Sequence, residues 1–268
     1  MEKKSNSLKN GNYIIENKEE LLNRRKNKKR VRRLILLVII MISTLITLCL
    51  KLPYFNIKKI EITGDVNASK VEINKSANID IGSNIFSASF NGNKKQIMKI
   101  PYILGVQVKK VLPNKIIIQV EERVAIFYGK INNTYYILDN KGIILEKRSN
   151  IKDMNLVNLI GFNYEKCKVG DLIVSEDNRK ISIVREITNI INDYRKTNND
   201  SKINMVDVNN VLDVKIFSGK MCIKFGTTED LKNKFNRAIN IISRPEYKNA
   251  KGYVDVSFKG NPVVFVER

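Results

Sequence analysis

The chain of 268 residues contains no histidine and no tryptophan, and only three cysteines and five prolines. Without histidine it cannot build a Ser-His or Cys-His nucleophile pair or a histidine-ligated metal centre, which removes many hydrolases at once. Glycine motifs that cradle phosphate are missing as well. A wall transpeptidase or β-lactamase would need Ser-x-x-Lys together with Ser-Asp-Asn and Lys-Thr-Gly. Only Ser149-Asn150-Ile151-Lys152 fits the first of these, and in so lysine-rich a chain one such match arises by chance. Glu121, Glu122, Asp139 and Asp255 could be proposed as a carboxylate pair for glycan cleavage, but they fall at strand ends and turns, where Asp and Glu serve solvation or turn geometry. Three cysteines make no disulfide framework; Cys167 and Cys222 can pair only if folding brings them together. The expectation is a chain with no catalytic residues, no metal site, no cofactor and no small-molecule substrate.

What is present is positive charge and one long apolar run. Lysine plus arginine number 48 against 27 aspartate plus glutamate, a pattern that abundant Lys, Ile and Asn explain as well through base composition as through selection for charge. Residues 1–33 hold 12 basic and 4 acidic residues, a surplus of 8 out of the chain's 21. Directly after them, Leu34 to Leu50 is free of charge, with Ser43, Thr44 and Thr47 as its polar side chains apart from Cys49. Seventeen residues at about 1.5 Å each span roughly 25 Å, slightly short of a hydrocarbon core of about 30 Å, and Leu52 extends the stretch. The reading is a transmembrane helix over 34–52 that stays as a permanent anchor, since no small-x-small cleavage site follows it.

Arg24, Arg25, Lys26, Lys28, Lys29, Arg30, Arg32 and Arg33 adjoin that run and are the topology-determining residues. Segments rich in Lys and Arg beside a first hydrophobic helix stay cytoplasmic, so residues 1–33 are expected inside and Pro53 onwards outside. Contact with the apolar run makes topology a simpler account of the cluster than nucleic-acid binding, and no nucleic-acid partner is expected.

The outer part is expected to divide near residue 123. Ile57 to Gly64 alternates as a strand. Asn67 or Ser69 could cap a following helix with Val71 and Ile73 on its apolar side, ended at Asn78. Asn91 to Asn93 reads as a polar turn before a short helix that presents Ile97, Met98 and Ile100 and stops at Pro101. Strands from Gly105 to Val111 and Lys115 to Val120 close the unit around a Leu112-Pro113-Asn114 turn. The order is β-α-α-β-β.

These words in these places resemble the POTRA (polypeptide-transport-associated) domain of the FtsQ/DivIB family of bacterial cell-division proteins. The residues that carry the likeness are Thr63-Gly64, Gly82-x-Asn84-Ile85-Phe86, Ile100-Pro101-Tyr102 leading into Val106 and Val108, Leu112-Pro113-Asn114-Lys115, and Val120-Glu121-Glu122-Arg123. The likeness continues over residues 124–268, which resemble the family's second domain. There Thr134 to Leu138 and Ile143 to Glu146 read as a hairpin, and a helix from Glu176 to Arg195 is expected behind a Ser175 cap, with Val184, Ile187, Ile191 and Tyr194 on one stripe. Leu212 to Phe217 and Met221 to Phe225 read as strands. Thr227 or Thr228 is expected to cap a helix that buries Leu231, Phe235, Ala238, Ile239 and Ile242, and Tyr253 to Phe258 and Val263 to Val266 end the chain as strands.

The expected class is thus α+β, with four segments: a basic cytoplasmic tail 1–33, the transmembrane helix 34–52, a POTRA domain 54–123, and a second domain of mixed α/β sheet, 124–268. The resemblance implies a non-enzymatic scaffold of the divisome in the cytoplasmic membrane at the septum. Its implied partners are FtsL-like and FtsB/DivIC-like bitopic division proteins, and its implied role is to support or regulate septal wall synthesis. It places the partner strand at Tyr253 to Phe258, with Tyr253, Asp255, Ser257, Phe258, Gly260 and Val263 as contact residues and the strand as the docking edge; the alternative is that this strand is internal and paired on both sides, with Val263 to Val266 as the edge instead. The competing class is an anchored wall-active enzyme or a protein-insertion component, which would show a polar cleft, tandem POTRA repeats or barrel strands.

Overall fold

The computed structural model of the protein describes residues 18–64, 70–197, 203–247 and 249–267. The caps expected at Asn67 and Ser69 lie outside these. Two compact units are present: one comprises the chain up to Glu61 with Asp80–Ser89 and Lys110–Ile117, the other Ile62–Ile79, Phe90–Lys109 and Ile118 onwards.

In the first unit one helix, α1 (Lys18–Lys51), carries both the basic cluster and the apolar run, so the helix begins well before Leu34. Among the described residues it is the one helix long and apolar enough to cross a membrane, over Lys26–Lys51, and none of that stretch is buried in the protein. This fits a single-pass membrane protein, because lipid is the solvent in which such a surface is stable. Thr44 and Thr47 return their hydroxyls to the carbonyls of Ile40 (2.6 Å) and Ser43 (2.8 Å), so neither presents an unpaired donor to hydrocarbon. Beyond the helix a 3-10 turn, Pro53–Phe55, leads into the segment that pairs with the loop 80–89.

The β-α-α-β-β order is as expected: β1 (Lys59–Thr63), α2 (Lys70–Ala77), α3 (Asn91–Ile97), β2 (Ile103–Val111) and β3 (Lys115–Glu122), with the sheet ordered β1-β3-β2. Gly64 ends β1 at φ 122°, and a Cβ there would run into the carbonyl oxygen of Val120, so only glycine fits that approach. In α2 the apolar side is made by Ile73 and Ala77, both buried, while Val71 faces out. Asn91 to Asn93 is the first turn of α3 and not a loop. Asn93 is there because its side-chain amide donates to the carbonyls of Ala77 and Asn78 at the end of α2. Ile97 and Ile100 are buried, but Met98 is exposed.

The remaining strands are β4 (Ala125–Ile131), β5 (Thr134–Asp139), β6 (Ile144–Arg148), β7 (Val157–Ile160), β8 (Ile203–Asp207), β9 (Val214–Ser218), β10 (Met221–Gly226), β11 (Gly252–Asp255) and β12 (Val263–Val266). Among the described residues these nine form one mixed sheet, ordered β12-β11-β10-β9-β8-β7-β4-β5-β6. Strands β4, β7 and β8 were not evident as periodic patterns, and Leu212 is exposed ahead of β9. Helices α4 (Arg179–Thr197) and α5 (Leu231–Ile242) bury the expected stripes: Val184, Ile187 and Ile191 from α4, and Phe235, Ala238, Ile239 and Ile242 from α5, pack in one core with Ile216, Ile223, Phe225 and Val254. Both caps differ from expectation. The Asp177 carboxylate accepts the Arg179 N–H, which starts α4 four residues after Ser175; Asp230, at φ 55°, occupies the cap position of α5 with no side-chain bond, and neither Thr227 nor Thr228 does so.

Candidate partner-docking edge

Two strands end the nine-stranded sheet, and they are not equivalent. On the β6 side the segment Gly170–Ile173 lies along the strand, with Gly170 donating to Ile144 O, Ile144 to Asp171 O and Ile173 to Gly142 O. The rest of β6 carries Glu146, Lys147 and Arg148, charges of the kind that blunt an edge against pairing. On the other side β12 is Val-Val-Phe-Val, with Val263 and Phe265 each 48 % exposed. An apolar edge strand left open is a surface for another chain.

The strand Tyr253 to Phe258, expected as that edge, is internal. It runs only to Asp255 and is paired on both sides, parallel to β10 (Cys222 opposite Tyr253) and antiparallel to β12 (Tyr253 opposite Phe265). Its early end has a local cause: Asp255 Oδ1 accepts both the N–H (2.9 Å) and the hydroxyl (2.7 Å) of Ser257, turning the chain out of the sheet. The open edge belongs to β12. Glu267 N–H donates to Lys251 O (2.8 Å), and a Lys251–Glu267 ion pair of 2.6 Å adds to that closing contact. Antiparallel pairs alternate between bonded and non-bonded, so Phe265 and Val263 also bond inward to β11 while the N–H and C=O of Val264 and Val266 point away from the sheet.

The structure brings the six expected residues together, but in different roles. Tyr253 is on the sheet face away from the helices, Asp255 and Ser257 make the turn, Phe258 and Gly260 form the exposed crossover, and Val263 begins the edge strand. Arg237 of α5 donates to the Gly260 carbonyl and ties the crossover to the helix layer. Gly252 permits the close approach of β12, since a Cβ at that point would meet the Phe265 carbonyl oxygen. Phe265 and Val266 belong to the alternative edge Val263 to Val266, and Lys224 is the residue that reading the sequence missed. Phe265 stacks on Tyr253 at 5.4 Å between ring centroids, and the Lys224 ammonium sits 3.7 Å from the centre of the same tyrosine. The signal available for Phe265 and Val266 was the unbroken apolar run at 263–266.

Of the carboxylates considered for catalysis, Asp255 holds the turn at Ser257 and Asp139 has structural partners of its own. Asp139, fully buried, accepts the N–H groups of Lys141 and Ile143 (both 2.8 Å) and pairs with the Arg123 guanidinium at 2.7 Å. Cys167, Cys222 and Cys49 are free thiols. Among the described residues no three His, Cys, Asp or Glu side chains gather as metal ligands would. Of the topology-determining residues, Arg24, Lys26, Lys28, Lys29, Arg30, Arg32 and Arg33 are exposed on α1; Arg25 lies in the same helix, its side chain outside the described set.

Comparison with known proteins agrees with this architecture. Residues 55–123 match the family model "POTRA domain, FtsQ-type". The chain is 43 % identical over 229 residues to Cell division protein DivIB of Clostridium botulinum strain Hall, covering 85 % of this chain and 88 % of that one. It is 41 % identical over 228 residues to Cell division protein DivIB of Clostridium acetobutylicum, covering 85 % and 89 %. More distantly, it is 26 % identical over 157 residues to Cell division protein FtsQ of Koribacter versatilis, covering 59 % and 44 %. With a POTRA domain of the FtsQ type and such identity across most of its length, the chain belongs to the DivIB/FtsQ family of cell-division proteins.

Proposed function

We propose that this protein is a non-enzymatic scaffold of the divisome, anchored by α1 with residues 1–33 in the cytoplasm and the sheets outside, at the septum. It receives an extended segment of an FtsB/DivIC-like partner on the open edge of β12, and FtsL-like partners in the same assembly, and so supports or regulates septal wall synthesis. The observation that carries the reading is the contrast between the two ends of the nine-stranded sheet: one is covered and charged, the other apolar and open. An added strand would take up the outward N–H and C=O groups of Val264 and Val266, with main-chain bonds giving affinity and Val263 and Phe265 giving side-chain contact. The test is a binding titration of the full chain in lipid nanodiscs with the extracytoplasmic part of the organism's own DivIC-like protein. Saturable binding that the V266P variant loses supports the reading; binding that V266P leaves unchanged contradicts it.

A further inference from the structure

The Gly82-x-Asn84-Ile85-Phe86 loop has a role that strand addition at β12 does not use. Along Leu34–Leu50 every residue is exposed except Cys49, which is half-shielded. Asn84 meets the helix at this residue, its side-chain amide donating to the Cys49 carbonyl at 2.9 Å. Its other atom is occupied too, since Asn84 Oδ1 accepts the Phe86 N–H at 2.9 Å, so the orientation of the amide is fixed. Further bonds close the juncture: Ile85 N–H to Phe55 O, Ile57 N–H to Ser83 O and Gly82 N–H to Ile57 O, each 2.9 Å, while Phe55 and Phe86 pack edge to face. The turn after β2 belongs to the same unit, because Lys58 N–H donates to Asn114 O and the Lys110 ammonium to Ala88 O, both 2.8 Å.

Cys49 lies inside the apolar run, two residues before α1 ends at Lys51. A loop bonded to its carbonyl therefore stands at the depth where the helix leaves the hydrocarbon. The side chains carried there are apolar and outward: Ile81 is 69 % exposed, Tyr54 61 % and Leu112 58 %. The run itself is short, at roughly 25 Å against about 30 Å of hydrocarbon, and such a mismatch draws flanking apolar groups into the interface.

We propose that this juncture is seated in the headgroup layer of the membrane leaflet through which α1 emerges, with Ile81, Tyr54 and Leu112 in the lipid interface and Asn84 holding the 80–89 loop on the helix exit. The occupant of the exposed apolar surface is lipid. The proposal needs α1 to span the bilayer and is independent of the docking edge.

The chain has no tryptophan, so single substitutions report alone. The full chain would be placed in phosphatidylglycerol/phosphatidylcholine liposomes as I81W, L112W or, as a buried reference, L45W, and its emission measured with lipids brominated near the headgroup or deep in the chain. I81W and L112W are expected to be blue-shifted and to lose more emission to the shallow label than to the deep one, with L45W the reverse. Emission from I81W and L112W that bromolipid leaves intact and aqueous iodide quenches overturns the proposal. So does shielding that develops only when a partner's membrane segment is added, since the surface then belongs to protein. N84D keeps the acceptor for Phe86 N–H and removes the donor to Cys49. With the circular dichroism of the parent retained, it should lower bromolipid quenching of I81W and L112W and leave L45W unchanged. Equal quenching in N84D overturns the clamp.

Discussion

Tyr253 and Phe265 face one another across β11 and β12 with their rings stacked at 5.4 Å and 24° between planes, so the edge strand is braced from one side and open on the other. The brace matters because a four-residue edge strand has few bonds of its own. Phe265 is nonetheless half exposed, which leaves part of the ring for a partner. Replacing it with alanine should weaken DivIC-like binding by about 1–2 kcal/mol, roughly five- to thirty-fold, as truncation of an aromatic anchor does. Isothermal titration of F265A against the parent checks this.

The V266P variant separates docking from folding. The Val266 N–H points away from β11, so a proline there removes a donor for the partner and none from the existing ladder. Thermal unfolding of V266P should match the parent. Proline at Asp255, by contrast, enters a strand paired on both sides and should lower the melting temperature itself.

Asp139 ties the Arg123 that ends the Val120-Glu121-Glu122-Arg123 motif to the tight turn before β6. Its carboxylate is buried and holds a guanidinium and two backbone N–H groups. Alanine at this site would leave a half-buried cation and two donors unpartnered, at a cost of about 3–5 kcal/mol. Asparagine keeps one acceptor and should cost less. Denaturant unfolding of D139A and D139N gives the ranking.

Two phenols give the protein an alkaline limit. Burial pushes Tyr102 upward, and its hydrogen bond to Glu146 (2.8 Å) adds to the shift; burial likewise raises Tyr164, whose hydroxyl donates to Leu159 O. Folded values above the ordinary 10 mean that the neutral form is favoured by folding, so this stability is full below about pH 10 and lost as pH rises beyond it. Spectrophotometric titration of phenolate should show Tyr102 and Tyr164 ionising only with unfolding, whereas Y102F removes one of the late groups.

Legibility followed the reach of each signal. Periodicity located α5 and its buried face, the β5–β6 hairpin, and the apolar span, because those patterns are complete within one element. Asn93 was read as a turn residue because its reason for being there, the carbonyls of Ala77 and Asn78, lies 16 and 15 residues away. Ser175 and the threonines at 227 and 228 were chosen as caps by residue type, yet Asp177 and Asp230 sit closer to the first helical residues. Edge status is a property of the whole sheet, so Tyr253 to Phe258 and Val263 to Val266 could both be recognised as strands, but the pattern within each could not decide which of them is the edge. Strand β8 begins at Ile203, and its parallel partner β7 is four residues long, too short to alternate visibly.

Orientation of α1 rests on charge, so arginine-for-lysine exchanges within Arg24–Arg33 should leave insertion unchanged, and glutamate at all eight basic positions should disturb it. An impermeant thiol reagent applied to wall-permeabilised cells reads the outcome: in a cysteine-free background N132C is labelled and N12C is not, and the glutamate variant loses that asymmetry.

The proposed scaffold function stands on β12. Hydrogen exchange of the full chain in nanodiscs, with and without the DivIC-like extracytoplasmic segment, tests it most directly, because an added strand protects the outward amides of Val264 and Val266 without changing those already bonded to β11. The account predicts slowed exchange at these two residues on complex formation. Protection confined to residues 57–123, with 264 and 266 unchanged, would contradict it.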